Sequence, residues 1–499
     1  MKKVSKKIIS ILISIVLLIT ITAPVTTAFA ASPIKALDGK NVKLTFAAWG
    51  DPQVSAMIKD REPHLIAASN DLKNNAQMKV DALVLAGDIT ENNTQGEYDA
   101  VYNDIVGSGV KNYITASGNH DIRGSGTIAE KRKKFVDFTN RLNKSAGSSL
   151  KIDSLYYSYT VNGYKFIVLG SDKVLPEEAE FSTKQLNWLK SELASSANKG
   201  KPVFVVVHQT LKNTHGLPGT WNSPINGAGS IGKQSDTIKN ILNKYKNIVL
   251  ITGHLHTGFG KYSYQKVGNI HSVNLPTLGV GNDDGSYNED GIGYMTEVYS
   301  DKVVFRARNF EKGVYVPDYN ITIRLDRVKT VKMTSSYTYN GKVKKPSVTL
   351  YDYSNKKISP SNYTVSYPKG RKNVGKYSVK ITFKGAYKGH SAITKTFTIK
   401  PKGTALSSVK AGKKSLTAKW KKQTAQTTGY QFQYSTSSKF KGAKTVTISK
   451  NKTTSKKISK LKAKKKYYVR VRTYKTVKVN GKNTKIYSSW SKVKTVKTK

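Results

Sequence analysis

The chain contains no cysteine in 499 residues. That excludes a disulfide framework, a cysteine-ligated zinc or iron–sulfur centre and a thiol nucleophile, so any metal chemistry must use oxygen and nitrogen donors. Acidic residues are scarce and unevenly placed. There are 31 Asp+Glu against 84 Lys+Arg, a formal net charge of +53. A single acid, Asp352, falls in residues 327–499, which hold 46 Lys+Arg, whereas residues 1–326 hold 30 acids and 38 bases. Charge thus divides the chain into a near-neutral body and a very basic tail, with a domain boundary close to residue 326. Long apolar runs are also missing. Beyond the first 30 residues no stretch reaches the roughly 20 residues of a membrane span. Hydrophobic residues at 38% and aromatics at 10% nevertheless suffice for packed cores, and the length predicts about three domains.

The first 30 residues read as a secretory signal. Lys2, Lys3, Lys6 and Lys7 precede an apolar core, Ile8 to Ile21, and Ala28-Phe29-Ala30 is a small-x-small cleavage site. The apolar core is short for a span and Pro24 follows it, so cleavage after Ala30 is expected, leaving a mature chain without a transmembrane segment. The product is expected to be secreted or associated with the cell surface.

Residues 40–326 alternate short apolar runs with stretches of helical length, which predicts an α/β domain. Val42–Trp49, Ala82–Ala86, Tyr113–Ala116, Phe166–Leu169, Val203–Val207 and Ile248–Ile251 are the buried-strand candidates, and Val54–Met78, Gly96–Gly107, Ser182–Ser196 and Gln234–Lys246 the helical ones. Most strands stop at a polar cluster: Asp51-Pro52-Gln53, Gly87-Asp88, Gly118-Asn119-His120-Asp121, His208 and Gly253-His254-Leu255-His256. Ligands of open α/β sheets bind outside the carboxyl ends of strands. Asp51, Asp88, Asn119, His208, His254 and His256 are oxygen or imidazole donors, the set that suits two divalent ions about 3.5–4 Å apart, clamping a phosphoryl group and supplying hydroxide near neutral pH. His120 is placed to assist a departing oxygen, with Asp121 expected to orient it. A single strand-end Asp is ordinarily a helix cap and a single His a core residue. The ordered set is what argues for chemistry. His64, His215 and His271 lack that support, a surface role is favoured for Arg123, and Asn282-Asp283-Asp284-Gly285 reads as a plain turn.

In order and wording these motifs resemble the calcineurin-like metallophosphoesterase family, whose pattern runs D-x-H, G-D, G-N-H-[DE], a strand-end H and G-H-x-H. The resemblance implies that Asp51 and His256 bind a first metal, that Asp88 bridges, that Asn119, His208 and His254 bind the second, and that His120 is the catalytic acid or a phosphate contact. It implies a metallophosphoesterase-type β-sandwich flanked by helices, a phosphoester substrate and two divalent ions (Mn, Fe, Zn or Mg). Gln53 stands where the family has a metal-binding His. It can ligate through its amide oxygen, and it makes that site oxygen-rich. Glu91 stands where a Tyr would resemble a purple acid phosphatase site, so no tyrosinate-to-iron colour is expected. The loops Ile122–Ser154 and Thr210–Lys233 are expected to set specificity.

After residue 326 the pattern changes to short alternating strands separated by Gly, Asn, Ser and Lys turns, predicting two all-β sandwiches over 327–400 and 401–499. Residues 403–499, with Trp420, Tyr468-Val469-Arg470-Val471-Arg472 and Ser488-Ser489-Trp490-Ser491, resemble a fibronectin type III domain. The preceding unit, with Asn362-Tyr363-Thr364-Val365-Ser366-Tyr367, resembles Ig-like repeats of exported bacterial proteins. The charge of residues 327–499 fits retention on anionic cell-envelope polymers. Nucleic acid is the less favoured partner, since export and the lack of a recognition helix or RNA-binding motif argue against it. Besides the secreted phosphoesterase, two readings stand: a cell-surface binding or adhesion protein whose phosphoesterase domain is weakened by Gln53, and an extracellular nuclease.

Overall fold

Side chains along the strand from Phe166 to Leu169 alternate between two cores: Phe166 and Val168 join one, Ile167 and Leu169 the other. Phe204 and Val206 alternate with Val203 and Val205, and Val249 and Ile251 with Ile248 and Leu250, in the same way. Successive strand residues point to opposite faces, so a continuously apolar run belongs to a sheet covered on both sides. The computed structural model describes residues 31–196, 200–216, 229–282, 285–388 and 390–499. The expected signal, residues 1–30, lies outside the described residues, as do 217–228 of the second specificity loop and 283–284 of the expected turn.

Two sheets stack face to face. The first contains β1 (Leu44–Trp49), β2 (Ala82–Ala86) and β3 (Tyr113–Ala116) in parallel. The second contains β4 (Tyr157–Val161), β5 (Tyr164–Val168), β6 (Val203–Val206), β7 (Ile248–Thr252), β8 (Tyr264–Val267) and β9 (Ile270–Asn274) in the order β4-β5-β6-β7-β9-β8, with β5, β6, β7 and β9 parallel. Four later strands, β10 (Ile292–Val298), β11 (Lys302–Asn309), β12 (Val314–Tyr315) and β13 (Ile321–Arg324), extend the first sheet antiparallel from β1. Phe46 of β1 meets Phe166 and Phe204 of the second sheet edge-on, with centroids 5.5 and 5.1 Å away, and so pins the sheets together.

Helices cover the outer faces. Apolar residues of α1 (Glu62–Asn75), α2 (Gln95–Ile105) and α3 (Ile128–Ser145) join the core of the first sheet, while those of α4 (Thr183–Ser196) and α5 (Ser235–Leu242) join that of the second. The α3 helix corrects the expectation of a loop over Ile122–Ser154. Its start is a capping box: Thr127 accepts the Glu130 N–H and the Glu130 carboxylate accepts the Thr127 N–H. Phe135, Phe138 and Leu142 form its buried stripe. The first helix is also shorter than the expected Val54–Met78, because residues 51–61 turn back to bond the loop after β2.

Beyond residue 326 the described structure is strands with two single-turn 3₁₀ segments. A two-stranded and a four-stranded sheet occupy Val328–Lys400, and a three-stranded and a five-stranded sheet occupy Leu406–Lys497. Trp420, Tyr430, Phe432, Val469 and Val471 fill the last core.

Candidate metal centre

The parallel strands β1, β2 and β3 of one sheet, and β6 and β7 of the other, all end at the same edge of the sandwich. The residues that follow meet there. Backbone bonds stitch the loops: Gln53 N–H donates to Asp88 O at 2.8 Å, Val54 N–H to Ile89 O at 3.1 Å, and Gly253 N–H to His208 O at 2.9 Å. The two sheets are joined across the site by His254 N–H, which donates to both carboxylate oxygens of Asp51 at 3.1 and 3.0 Å. Five non-glycine residues here have left-handed backbones: Asp51 (φ 49°), Gln53 (43°), Asp88 (47°), His254 (74°) and His256 (45°). Each costs on the order of 1–3 kcal/mol and persists where the surroundings over-determine it, as they do at functional sites.

Asp88, His208 and His254 offer ligand atoms that all lie within 4.8 Å of one another, and so do Asp51, Asp88 and His256. Asp88 belongs to both groups. Asp51, Asp88, His208 and His254 are at most 1% exposed. His208 Nε2 lies 3.0 Å from Asp88 Oδ2, and His256 Nε2 3.6 Å from Asp51 Oδ1. His208 Nδ1–H donates to Ala86 O at 2.8 Å, which fixes the tautomer and turns the Nε2 lone pair inward. Burial alone would raise the Asp88 carboxyl, but His208, His120 and His254 outweigh it and hold it far below the usual range. Burial alone would lower His208, yet Asp88 and Asp51 lift it to about 9. Burial and then the charge of His208 push His254 well down. Carboxylates in a water-poor pocket thus favour one positive charge on His208, and burial together with that charge disfavours a second on His254.

The amide side chains fit a cation. Gln53 Nε2 lies 2.8 Å from a His120 ring nitrogen and Asn119 Nδ2 donates to Pro176 O at 2.7 Å. Gln53 Oε1 and Asn119 Oδ1 are buried with no hydrogen-bond partner. A buried oxygen left so costs about 1–3 kcal/mol, and a divalent ion satisfies it. The donor set, two carboxylates, two amide oxygens and three imidazoles without sulfur, suits Mn, Fe, Zn or Mg.

His120 sits beside this cluster, with Nε2 3.9 Å from Asp88 Oδ2. Its Nδ1–H donates to Glu91 O at 3.0 Å, because a carbonyl only accepts, and Nε2 faces Arg123 at 3.0 Å. Asp121 does not orient His120 as expected. Its buried carboxylate accepts the backbone N–H groups of Ile89, Thr90 and Gly118 at 2.9–3.1 Å and the Thr90 hydroxyl at 3.2 Å. It braces the loops after β2 and β3. Arg123, expected at the surface, reaches the site: it pairs with Glu91, which also pairs with Arg61. Burial alone would raise the Glu91 carboxyl, but His120, Arg61 and Arg123 hold it to about 2. Arg61 carries no motif, and Glu91 stands out in the sequence only as the residue in the place of a tyrosine, so neither is given this pairing role by the sequence. His215 is a buried hydrogen-bonded residue away from the centre, His271 bonds Tyr264, and His64 pairs with Glu311.

Residues 44–258 match the calcineurin-like phosphoesterase family. The chain carries a calcineurin-like metallophosphoesterase domain. Residues 399–489 are a fibronectin type III domain; neither match covers the unit read as Ig-like. Among solved structures, the chain is similar to the purple acid phosphatase PPD1 from yellow lupin (Lupinus luteus) seeds, at 14% identity and TM-score 0.40 over 56% of this chain and 53% of that one. It spans about half the length of that phosphatase. It is also similar to the chicken CNTN1 FN1-FN3 domains, at 16% identity and TM-score 0.19 over 40% of this chain and 77% of that one. No curated protein matches it. The phosphoesterase domain belongs to a family of metal-dependent phosphoester hydrolases, and the donor set at its strand ends fits that chemistry.

Proposed function

We propose that the protein is a secreted phosphoesterase whose domain over residues 40–326 holds two divalent ions and hydrolyses phosphomonoester or phosphodiester bonds. The observation that carries this reading is the sharing of Asp88 between two three-residue ligand groups. Asp88 would be shared by both ions, with Asp51, Gln53 and His256 as the residues that would hold one and Asn119, His208 and His254 those that would hold the other. When bound, such a pair supplies the electrostatic clamp on a phosphoryl group and the activated water. The chain's own residues do the rest. Glu91 O accepts from His120 Nδ1–H and orients the ring; only the protonated imidazole, which neighbouring Glu91 and Asp88 favour against burial, carries a proton on Nε2 to deliver to the departing oxygen. Arg123 adds positive charge beside that nitrogen, where charge grows on the phosphoryl oxygens. Asp121 keeps the loops in register.

Residues 401–499 contain no Asp or Glu, so lysines there have no carboxylate side chain in their own sandwich to pair with. Strand register puts Lys410, Thr417 and Lys457 in one row on the three-stranded sheet, with both lysines exposed. We infer that this tail retains the exported enzyme on anionic envelope polymers, an attraction that salt screens over a Debye length of about 8–10 Å.

The test is hydrolysis of aryl phosphomonoester and phosphodiester substrates after chelation, with Mn, Fe, Zn or Mg restored. Turnover should return with metal and fall more than about 100-fold in Asp88→Asn. A folded protein without turnover under any metal sinks the enzyme reading and favours the binding-protein alternative.

A further inference from the structure

Residues 401–499 hold 27 Lys, 2 Arg and no acid, and the two arginines stand together. Arg470 and Arg472 lie two apart on the strand Lys466–Val479. Val469 and Val471 fill the core beneath them, so both guanidiniums stand on the outer face of the five-stranded sheet. Two residues along a strand span about 6.8 Å.

That face is built around them. Strand register sets Arg470 opposite Gln433 and Arg472 opposite Gln431. Each glutamine Oε1 accepts the Nε–H of its arginine at 2.8 Å and an Nη2–H as well. Aromatic rings flank both groups. Phe440 and Trp490 lie 3.8 and 4.5 Å from Arg470 Cζ, and Tyr487 and Trp490 lie 4.0 and 4.2 Å from Arg472 Cζ. Trp490 is seated by its neighbour Ser491, whose N–H donates to Val471 O at 2.8 Å and whose Oγ accepts the Val471 N–H at 3.1 Å. Glutamine bonds and ring contacts thus fix each planar fork while using only its Nε and Nη2 edge. The Nη1 end enters none of these bonds. A fork held in this way can take the two free oxygens of a phosphodiester side by side, which a lysine, a point charge on a flexible stem, cannot do.

We propose that this face is the polymer-binding site of the tail, taking two phosphates of one phosphodiester chain, one on Arg470 and one on Arg472. This rests on the retention reading above and gives it a surface and a ligand chemistry. A chain without bases is the better fit. Nucleobases are held by stacking on open aromatic faces, and here the rings are engaged by guanidinium.

The test is binding of fluorescently labelled poly(glycerol phosphate) to the full chain, in chelator to prevent hydrolysis and at about 0.15 M salt. Wild type should bind. Arg470→Lys with Arg472→Lys keeps both charges but loses the forks, and should weaken binding at least about tenfold. Gln431→Ala with Gln433→Ala leaves charges and rings in place and should weaken it in the same direction. Lys410→Gln with Lys457→Gln removes two charges from the other sheet and should stay within about twofold. Thermal midpoints show that each variant is folded. Wild-type affinity in the folded lysine or alanine variant, or a lysine variant weakened no more than the Lys410/Lys457 control, overturns the assignment to this face and leaves retention standing. Single-stranded DNA that binds as tightly as the polymer overturns the choice of a chain without bases. Wild type that does not bind the polymer overturns the retention reading and this proposal with it.

Discussion

Replacing Gly118 with alanine adds one methyl group, and the structure fixes where it goes. The new Cβ would stand 2.7 Å from Asp88 Cγ, with Asp88 Oδ1 and the Asp88 nitrogen closer still. Ordinary contacts at that atom begin near 3.4 Å, so the Asp88 carboxyl must retreat by roughly 0.7 Å or more. Because the Asp88 backbone is part of the clash, rotating the side chain cannot relieve it. The Gly118 backbone is not left-handed, so alanine meets no conformational penalty of its own. Overpacking of this size destabilises by about 1–3 kcal/mol, which leaves a domain of this size folded. A metal site tolerates only about ±0.2 Å in its ligand distances, so moving the shared carboxylate should weaken both ions. A reacting group misplaced by about 1 Å can cost 10²-fold in rate. The assay is kcat/KM on an aryl phosphodiester, with Mn²⁺ affinity and thermal midpoint measured alongside. Gly96→Ala is the control, since its Cβ meets nothing within 4 Å on the exposed first turn of α2. Gly118→Ala with wild-type turnover and metal affinity would refute the placement of Asp88 at the heart of the site.

Three further outcomes are expected. Arg308 is fully buried and binds Asp71 through two bonds of 2.6 and 2.7 Å; Arg308→Met should cost about 3–5 kcal/mol in denaturant unfolding, because it strands the Asp71 charge. His215 is held by Tyr262 O and Ser272 Oγ, and burial lowers its pKa to about 4. Below pH 6.5 the unfolded chain takes up the proton that the folded one refuses, so this residue lowers stability by about 1.4 kcal/mol per pH unit down to about pH 4, roughly 3 kcal/mol in all; His215→Gln should flatten that part of the stability–pH curve. Finally, removing residues 327–499 should leave turnover of small substrates within about twofold while abolishing salt-reversible retention on cell envelopes; turnover lost with the tail contradicts the division of labour.

How much of this was legible depends on the range of each interaction. The five polar clusters could be read because each strand carries its own ligand at its end, a local signal. The α3 capping box, Thr127 to Glu130, is equally local, and Phe135, Phe138 and Leu142 at helical spacing carry the same signal, although the length of the stretch reads as a specificity loop. Asp121 misled for the opposite reason. Its position next to His120 suggests a pair, whereas its carboxylate is bound to amides from another loop, which no spacing records. Arg123 and Glu91 escaped because their ion pair closes across 32 residues.

The central claim is that two divalent ions flank the Asp88 carboxylate. Anomalous diffraction at the manganese edge, from crystals of the full chain soaked in Mn²⁺, tests it most directly. The account predicts two peaks about 3.5–4 Å apart, one beside Asp51 and His256 and the other beside His208 and His254, with Asp88 between them. A single peak, or peaks that leave Asp88 uncoordinated, would contradict it.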